Sequence, residues 1–396
     1  MPTREARSSP ISDQGIWISG IGEASATKTD MREREYDPHG GALDGRTHFR
    51  YRMELTFEST AEQHHYTLKC LPESNLRQQI IELETQLLPA GCSWESRDTF
   101  GNRELLGVIE EPHAYFRVEV EGEAILPARG SEGEIAVRKS AGEVEADFSV
   151  PKSECADEYA DAISEEETGA SVWMIDGIEL YPEERVQKEK LGIYRYPTAL
   201  TRPGERIRGY YEDLAHLETR TPLDENMDIR CEEHSAELQK DVTCRGETAG
   251  AEDRNRVTRQ AQTALRLMHA LHRDFRYQKA ATNVSTTAEE AMERGAGVCQ
   301  DYAHIFLSLL RLAGIPCRYV TGMLQGEGES HAWVEAALGE YWYGLDPTND
   351  CAVAGSHVKI ASGRDYSDCR ISQGVFYGGG EQRQSIQVSV QTQSEQ

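Results

Sequence analysis

Three residue types that together can cleave an amide bond follow one another in the last third of the chain: Cys299, His331 and Asp346. A thiol can attack a carbonyl carbon, an imidazole can take up and return the proton, and a carboxylate can hold the imidazole in one tautomer. Each residue taken alone is more often structural, as a core thiol, a hydrogen-bonded strand histidine or a turn aspartate. Their combination predicts a cysteine-dependent active site.

Cys299 stands where a helix is expected to begin. The segment QDYAHIFLSLLRLAG that follows it is apolar on nearly every face, which predicts a helix buried in the centre of a domain. Gly314 and Pro316 end this helix. A thiol at its start meets the positive end of the helix dipole, which favours the thiolate, and the backbone N–H of Cys299 is placed to help bind an oxyanion.

His331 and Asp346 fall on two neighbouring strand candidates. The strand CRYVTGML is followed by a loop, QGEGES, and by the strand HAWVEAAL, in which His331, Trp333 and Glu335 share a face. The chain returns as YWYGLDPTND after a turn near Gly339, so Asp346 is expected within about a residue of the position opposite His331. We expect QGEGES to border the cleft, where its glutamates would disfavour acidic acyl donors.

The segments before the predicted site indicate a β-rich part and then a helical part. Apolar residues alternate along one face of the first strand candidate, which several short strand candidates follow, and this pattern predicts a β-sandwich. The residues on that face are Phe49, Tyr51, Met53, Leu55 and Phe57. Helices are predicted over RNRVTRQAQTALRLMHALHRDF and over STTAEEAMERG, the second capped by Ser285, Thr286 or Thr287 and stopped by Gly295.

These elements divide the chain into five parts. They are a disordered or loosely attached tail (1–45), an N-terminal β-sandwich domain (46–152), an acidic, partly helical segment of the catalytic half (153–255), a catalytic core (256–390) and a C-terminal tail (391–396). The fold class predicted is therefore α+β.

Charge and cysteine usage limit the partners and the compartment. The chain has 42 Lys and Arg against 68 Asp and Glu, a net charge of −26, which argues against nucleic acid and anionic membranes as partners. Its nine cysteines are scattered without close pairs, which is typical of reduced thiols rather than of a structural zinc site. Because the first thirty residues also lack the apolar run of a secretory signal, we expect a cytoplasmic location.

The segments GVCQDYAHIFLSLLRLAGIPCRYVTGML, SHAWVEAAL and YWYGLDPTND resemble, in this order, the three catalytic segments of the transglutaminase-like superfamily. DTFGN and EEPHAYFRVEVE are similar to the N-terminal β-domain of its bacterial and archaeal members. The resemblance implies a papain-like fold in which the cysteine helix packs on an antiparallel sheet, with Cys299, His331 and Asp346 as the catalytic triad.

The same resemblance implies acyl chemistry on an amide through a thioester, with no metal and no organic cofactor. Gln300, Asp301 and Tyr302, which match the motif beside the nucleophile, and Trp333 are expected to shape the substrate and oxyanion neighbourhood rather than to react. The expected substrate is a protein, a peptide or a small amide. The sequence does not indicate an oligomeric state.

Several functions share this set of residues. Water resolving the thioester would make the protein a peptidase or amidase, whereas an amine would make it an acyltransferase. A binding or scaffold protein on the same fold is a third alternative, against which the complete triad argues. A metal site formed by Cys299, His304 and His331 is a fourth, weakened because the first two residues are five apart on a helix and so face different directions.

Overall fold

The computed structural model describes residues 18–19, 46–126, 173–175, 178–220 and 251–392. The tail predicted at residues 1–45 lies outside these ranges except for residues 18–19. Residues 127–172 and 221–250, which span the end of the predicted β-sandwich and much of the acidic segment, also lie outside them, as do residues 393–396.

The described residues form strands and helices in the following chain order. The strands are β1 (Ile18–Ser19), β2 (Arg46–Leu68), β3 (Gln79–Leu88), β4 (Cys92–Arg97), β5 (Arg103–Ile109), β6 (His113–Ile125), β7 (Trp173–Ile175), β8 (Ile178–Leu180), β9 (Pro182–Arg185), β10 (Arg276–Tyr277), β11 (Ala296–Gly297), β12 (Cys317–Leu324), β13 (Gly326–Gly328), β14 (His331–Leu338), β15 (Tyr341–Asp346), β16 (Cys351–Ala352), β17 (His357–Gly363), β18 (Ser372–Gly378) and β19 (Gln382–Thr392). The helices are α1 (Leu191–Arg195), α2 (Glu205–Arg220), α3 (Ala251–Asp274), α4 (Ala288–Arg294) and α5 (Cys299–Leu312).

One sheet of nine strands is built around the long strand β2. The first half of β2 pairs with β6 and β19, and its second half pairs with β5 and β18. The alternation that predicted this strand is confirmed, because the five apolar side chains from Phe49 to Phe57 are at most 7% exposed. Each turns into a core that the polar residues between them do not enter.

The C-terminal strands β18 and β19 complete this N-terminal sheet, although the sequence analysis placed them in the catalytic core. Met53 of β2, for example, pairs with Ile386 of β19. The segment QGEGES, expected as a loop, contains the short strand β13, which pairs with β19. The first difference arises because a strand's sequence does not identify its distant partner, and the second because a segment of Gly and Glu has no apolar alternation to mark a strand.

The second sheet has six strands and carries the predicted site residues. Its order is β16, β15, β14, β12 and β17, with β9 paired to β15. Helix α5 packs on β14 and β12, and its residues Ala303, Phe306, Leu307 and Leu310 are fully buried. The predicted α+β class and the packing of the cysteine helix on an antiparallel sheet are therefore confirmed.

Local signals predicted the two helices before α5 correctly. Helix α4 begins after Thr287, whose hydroxyl accepts from the N–H of Glu290 while the Glu290 carboxylate accepts from the N–H of Thr287 at 2.9 Å. It ends at Gly295, whose φ of 65° is the left-handed conformation that favours glycine. Among the described residues, no helix has both the length and the apolar composition that crossing a bilayer requires.

The two sheets share a hydrophobic core. Met323, Val358 and Ile360 of the six-stranded sheet belong to the same cluster as Phe49 and Val118 of the nine-stranded sheet. Because this surface is buried between the sheets, each sheet contributes to the stability of the other.

A buried ion cluster lies on the face of β14 that also carries His331. The carboxylate of Glu335, which is 0% exposed, lies 2.6 Å from the Arg318 guanidinium and 3.0 Å from the Lys359 ammonium. Glu184 also pairs with both cations, at 3.0 Å and 2.7 Å, and Arg318 stacks over the Trp342 ring at 4.4 Å. Removing one carboxylate would leave buried positive charge without its full complement.

We predict that Glu335→Gln lowers the free energy of unfolding by about 3–5 kcal/mol, because two buried cations then lose a partner. The matched control is Glu340→Gln in the turn of the same hairpin, where Glu340 pairs with Arg185 at 3.2 Å and both side chains are more than half exposed. That change should cost less than about 1 kcal/mol. Urea titration of both variants measures the difference, and equal costs would contradict the prediction.

Candidate active site

Cys299 is the first residue of α5, and a tight local arrangement fixes where the helix begins. The N–H of Val298 donates to the Asp301 carboxylate at 2.7 Å, and the hydroxyl of Thr282 donates to the same oxygen at 2.6 Å. Gly297 is required beside this carboxylate, because a Cβ at that position would lie 2.3 Å from it. Asp301 therefore holds the loop against the helix start and sets the position of the partly exposed thiol of Cys299.

The hairpin of β14 and β15 brings His331 and Asp346 together. Val334 pairs with Leu345, which places Asp346 opposite Trp333 and two residues along from His331 on the same face. The sequence analysis expected Asp346 about one residue closer to the position opposite His331, and the two-residue turn of the hairpin sets the observed register. The side chains meet diagonally across the two strands.

Asp346 and Cys299 both contact the His331 imidazole. The Asp346 Oδ2 lies 2.7 Å from His331 Nε2. Because this carboxylate can only accept, Nε2 is the donor. Cys299 lies close enough to the same imidazole to contribute to its raised pKa. Since Nε2 is occupied by Asp346, Nδ1 is the ring nitrogen that remains for the thiol.

The Asp346 carboxylate is completely buried and is surrounded by donors. Its Oδ1 accepts from the backbone N–H groups of Thr348 at 2.9 Å and Asn349 at 3.3 Å. Its Oδ2 accepts from Asn349 Nδ2 at 2.7 Å and from His357 Nε2 at 3.2 Å, in addition to His331. These bonds fix both oxygens, so the carboxylate presents one orientation to the imidazole.

The electrostatics of the site follow from this burial. Burial alone would lower the pKa of His331, but the Asp346 carboxylate and Cys299 outweigh it and raise that pKa to about 10. Burial alone would raise the pKa of Asp346, but His331 and the other donors hold it well below its ordinary value. At neutral pH the structure therefore contains an imidazolium and a carboxylate, with the Cys299 sulphur beside the cation.

The four residues assigned to the neighbourhood of the nucleophile have structural contacts. Gln300 donates its amide to the Val284 carbonyl at 3.2 Å, and the Tyr302 hydroxyl donates to the Phe275 carbonyl at 2.6 Å. Asp301 caps the start of α5, as described above. Trp333, at 0% exposed, packs edge-on against His357 with ring centroids 5.2 Å apart. These contacts fix the four side chains to the structure around the site.

His304 does not join the other residues of the metal site that was considered from the sequence. Its Nε2 accepts from the N–H of Tyr366 at 3.2 Å, and burial lowers its pKa to about 4. Within the described ranges, the side chains whose ligand atoms lie within 4.8 Å of one another are those of His331, Asp346 and His357. The hydrogen bonds among these atoms account for their spacing.

Sequence reasoning missed two residues that contact Asp346. Asn349 follows it by three residues in the segment DPTND, so the short spacing from a turn aspartate was a usable signal. His357 is on β17, which pairs with β12 rather than with the hairpin, and nothing in its local sequence indicates a contact with Asp346. Only the tertiary structure reveals it.

Comparison with known proteins assigns two parts of the chain. Residues 248–347 match the family model of the transglutaminase-like superfamily. Residues 47–124 match that of the bacterial transglutaminase-like N-terminal region. The resemblance noted in the sequence is thereby confirmed, and the matched core contains Cys299, His331 and Asp346.

Two uncharacterized mycobacterial proteins are similar to part of the chain. The one from Mycobacterium leprae is 39% identical over 114 residues, which cover 26% of this chain and 40% of the relative. The one from Mycobacterium bovis is 33% identical over 140 residues, which cover 31% of this chain and 44% of the relative. The aligned part is thus less than half the length of these curated relatives.

One solved structure with low sequence identity shares the fold, and a second is less similar. A candidate cysteine protease from Cytophaga hutchinsonii is similar with a TM-score of 0.54 and 14% identity, over 90% of this chain and 93% of that one. The periplasmic domain of TgpA from Pseudomonas aeruginosa is similar with a TM-score of 0.30 and 14% identity, over 79% of this chain and 90% of that one.

The cytoplasmic location predicted from the sequence is wrong by this comparison, because the TgpA chains are periplasmic domains. The prediction depended on a first segment without an apolar run and on scattered thiols. The six cysteines that the structure describes are indeed unpaired. Unpaired thiols, however, do not by themselves identify a compartment.

We predict that Asp346→Asn lowers the pKa of the His331 imidazole from about 10 toward its ordinary value of 6.5, because burial is then opposed by Cys299 without the carboxylate. NMR titration of the labelled imidazole measures this pKa. Asp350→Asn is the control, since Asp350 pairs with His269 at 2.5 Å and should leave His331 unchanged.

The same pair contributes to stability in a defined pH range. A raised pKa in the folded state stabilises the protein below the unfolded value of 6.5, and this contribution disappears as the pH rises toward 10. A lowered Asp346 pKa stabilises it above the unfolded value of 3.8, and this contribution disappears as the pH falls. The stability lost in Asp346→Asn should therefore be greatest between pH 3.8 and pH 6.5, the two unfolded pKa values. A loss that grows toward pH 10 would contradict the assignment.

Proposed function

We propose that this protein hydrolyses an amide bond through a thioester on Cys299. The matches of residues 248–347 to the transglutaminase-like superfamily and of residues 47–124 to the bacterial transglutaminase-like N-terminal region support this chemistry. The proposed substrate is a peptide or protein amide, and cleavage of a small amide instead is one of the results that the test can give. His331 serves as the acid and base, and Asp346 orients it.

One observation carries the proposal: the buried pair of His331 and Asp346, joined at 2.7 Å, lies beside Cys299 at the start of α5. Asp346 is ionised, His331 is protonated at neutral pH, and Cys299 adjoins that cation. A neighbouring imidazolium and a helix N-terminus both favour the thiolate, which is the nucleophilic form. The likeness to a candidate cysteine protease agrees with this chemistry.

The first step forms the thioester. The Cys299 thiolate attacks the amide carbonyl carbon, and the S–C bond forms while the carbonyl oxygen takes up negative charge. The His331 Nδ1–H then protonates the nitrogen of the leaving amine, and the C–N bond breaks. The amine departs, and the site retains a thioester and a neutral imidazole.

The second step releases the acid. Water attacks the thioester carbonyl, His331 takes the proton from this water, and the C–S bond breaks to return a carboxylic acid, a thiolate and an imidazolium. The N–H of Asp301 donates to the Val298 carbonyl at 2.9 Å, so the N–H groups of Cys299 and Gln300 at the start of α5 are the ones we assign to the developing oxyanion. Asp346 holds the Nε2–H throughout, so Nδ1 stays directed at the sulphur.

Turnover separates the three candidate functions. We predict that the purified protein releases amine from a peptide amide library without an added amine acceptor, that Cys299→Ala abolishes this release, and that Asp346→Asn lowers kcat by roughly a thousandfold. Cys92→Ala, which removes an exposed thiol, is the control and should retain full activity.

The contrary outcomes are distinct. Product that forms only when an amine is supplied would replace hydrolysis by acyl transfer. Peptide binding without turnover, equal in the wild type and in Cys299→Ala, would replace both by a binding function. Mass spectrometry of the products and of the Cys299 peptide distinguishes all three.

The rim of the site suggests a charge preference. Tyr277, which is 49% exposed, pairs in register with Gly297 just before the nucleophile. Burial, with smaller contributions from Cys299 and Glu329, raises the Tyr277 pKa to about 12. Glu329 therefore lies close enough to Tyr277 to act on the same side chain as Cys299 does, and Glu327 is on the exposed strand β13. We propose that these carboxylates disfavour acidic acyl donors.

We predict that the double change Glu327→Gln and Glu329→Gln raises kcat/KM for acidic peptides about two- to tenfold relative to basic ones, because exposed charges interact by about 1 kcal/mol. The gain should shrink at high salt. Glu340→Gln at the far end of the hairpin is the control. An unchanged ratio of acidic to basic peptides would show that the glutamates do not face the substrate.

A further inference from the structure

Strand β17 is the last strand of the six-stranded sheet, and side chains of the N-terminal region occupy its outer edge. Gln78 pairs with the backbone of Lys359 as a neighbouring strand would: its Oε1 accepts from the Lys359 N–H at 2.7 Å, and its Nε2 donates to the Lys359 carbonyl at 2.9 Å. Asn102 does the same with Ser362, with two bonds of 2.8 Å. The edge is thereby closed by two side-chain amides.

Arg77 extends this contact to the beginning of β17. Its guanidinium donates to the carbonyls of His357 at 2.8 Å and Ala354 at 2.9 Å. Arg77 is 3% exposed and forms an ion pair with the fully buried carboxylate of Glu183. The segment between β2 and β3 therefore holds the backbone of β17 at His357, the first residue of that strand.

His357 is the point at which this strand contacts the site. Its side chain is completely buried, its Nε2 lies 3.2 Å from Asp346 Oδ2, and its Nδ1 lies 2.9 Å from the Ser356 hydroxyl. Since the carboxylate can only accept, Nε2 donates to it. Burial lowers the pKa of His357, so the ring is neutral and Nδ1 accepts from Ser356. The ring of Trp333 packs against it edge-on.

We propose that His357 is a positioning residue of the Cys299 site, and that the N-terminal region keeps it in place through Arg77 and Gln78. This inference rests on the proposed function, since it assigns His357 a part in preparing Asp346 for His331. Asp346 Oδ2 is the atom that receives both imidazoles. When the His357 donor is removed, the carboxylate loses one of the bonds that fix its orientation, and His331 is held less firmly toward Cys299.

The reactivity of Cys299 toward iodoacetamide reports this arrangement without any substrate. In the wild type, mapped alkylation at pH 6 should be faster at Cys299 than at the exposed Cys92, and His331→Ala should remove that advantage. Cys92 is an internal reference within the same molecule.

His357 is tested by a pair of variants. His357→Phe fills the volume but has no donor, and it should lower the alkylation rate of Cys299 relative to Cys92 by roughly tenfold or more, as expected for a lost hydrogen bond to a charged group. His357→Gln retains an N–H near the position of Nε2 and should recover most of the rate. His64→Phe, which removes a buried imidazole that lies 3.1 Å from His113, controls for lost stability.

Gln78 and Asn102 are a matched pair for the N-terminal region. Each side chain makes two hydrogen bonds to the β17 backbone and one further hydrogen bond. Gln78 binds Lys359, two residues from His357, whereas Asn102 binds Ser362, five residues from it. Gln78→Met should slow Cys299 alkylation severalfold, whereas Asn102→Leu should destabilise the fold by a similar amount and leave the Cys299 rate unchanged.

The outcomes separate this inference from the proposed function. If the wild-type advantage of Cys299 exists and depends on His331, but His357→Phe or Gln78→Met reacts like its control, His357 is only a structural residue and the inference is wrong. If Cys299 has no such advantage in the wild type, the triad is not assembled, and the proposed function and the inference fail together. A loss in His357→Phe with recovery in His357→Gln supports the inference.

Discussion

A buried carboxylate without water must receive hydrogen bonds from the protein, and the fold of this chain is arranged around one such group, Asp346. Five donors from three separate stretches of chain converge on it: two imidazoles, one side-chain amide and two backbone N–H groups. The hairpin provides His331, the turn after β15 provides Thr348 and Asn349, and β17 provides His357. Displacing any of these elements would leave a buried charge insufficiently compensated.

The charged state of the site follows from the same constraint. An imidazole that approaches a buried carboxylate gains more from the attraction than it loses by burial, which is why His331 is a cation at neutral pH while His357, on the far side, is neutral. Two chemically identical side chains thus differ in charge because Cys299 adds to the attraction of Asp346 at His331, whereas the positive charges of His331 and Arg77 add to burial at His357. The acid–base residue and its support are distinguished by their surroundings.

Local signals predicted much of this arrangement. The start of α5 at Cys299, the Thr287 cap and the Gly295 stop of α4, and the alternation of β2 all follow from interactions within a few residues. The predicted register of the hairpin differed from the observed one because register depends on the length of the turn, which composition does not determine. His357 and Gln78 could not be found in this way, since Gln78 and Lys359 are 281 residues apart in the chain.

The pairing of β2 with β19 also has a consequence for how the protein is made. Thr56 and Arg383, which contact each other across these strands, are 327 residues apart in sequence. At a synthesis rate of roughly 5–20 residues per second, one edge of β2 waits for about a quarter of a minute to a minute before its partner leaves the ribosome. During that interval the backbone N–H and C=O groups of that edge are unpaired, so the nascent chain is exposed to edge-to-edge aggregation at β2.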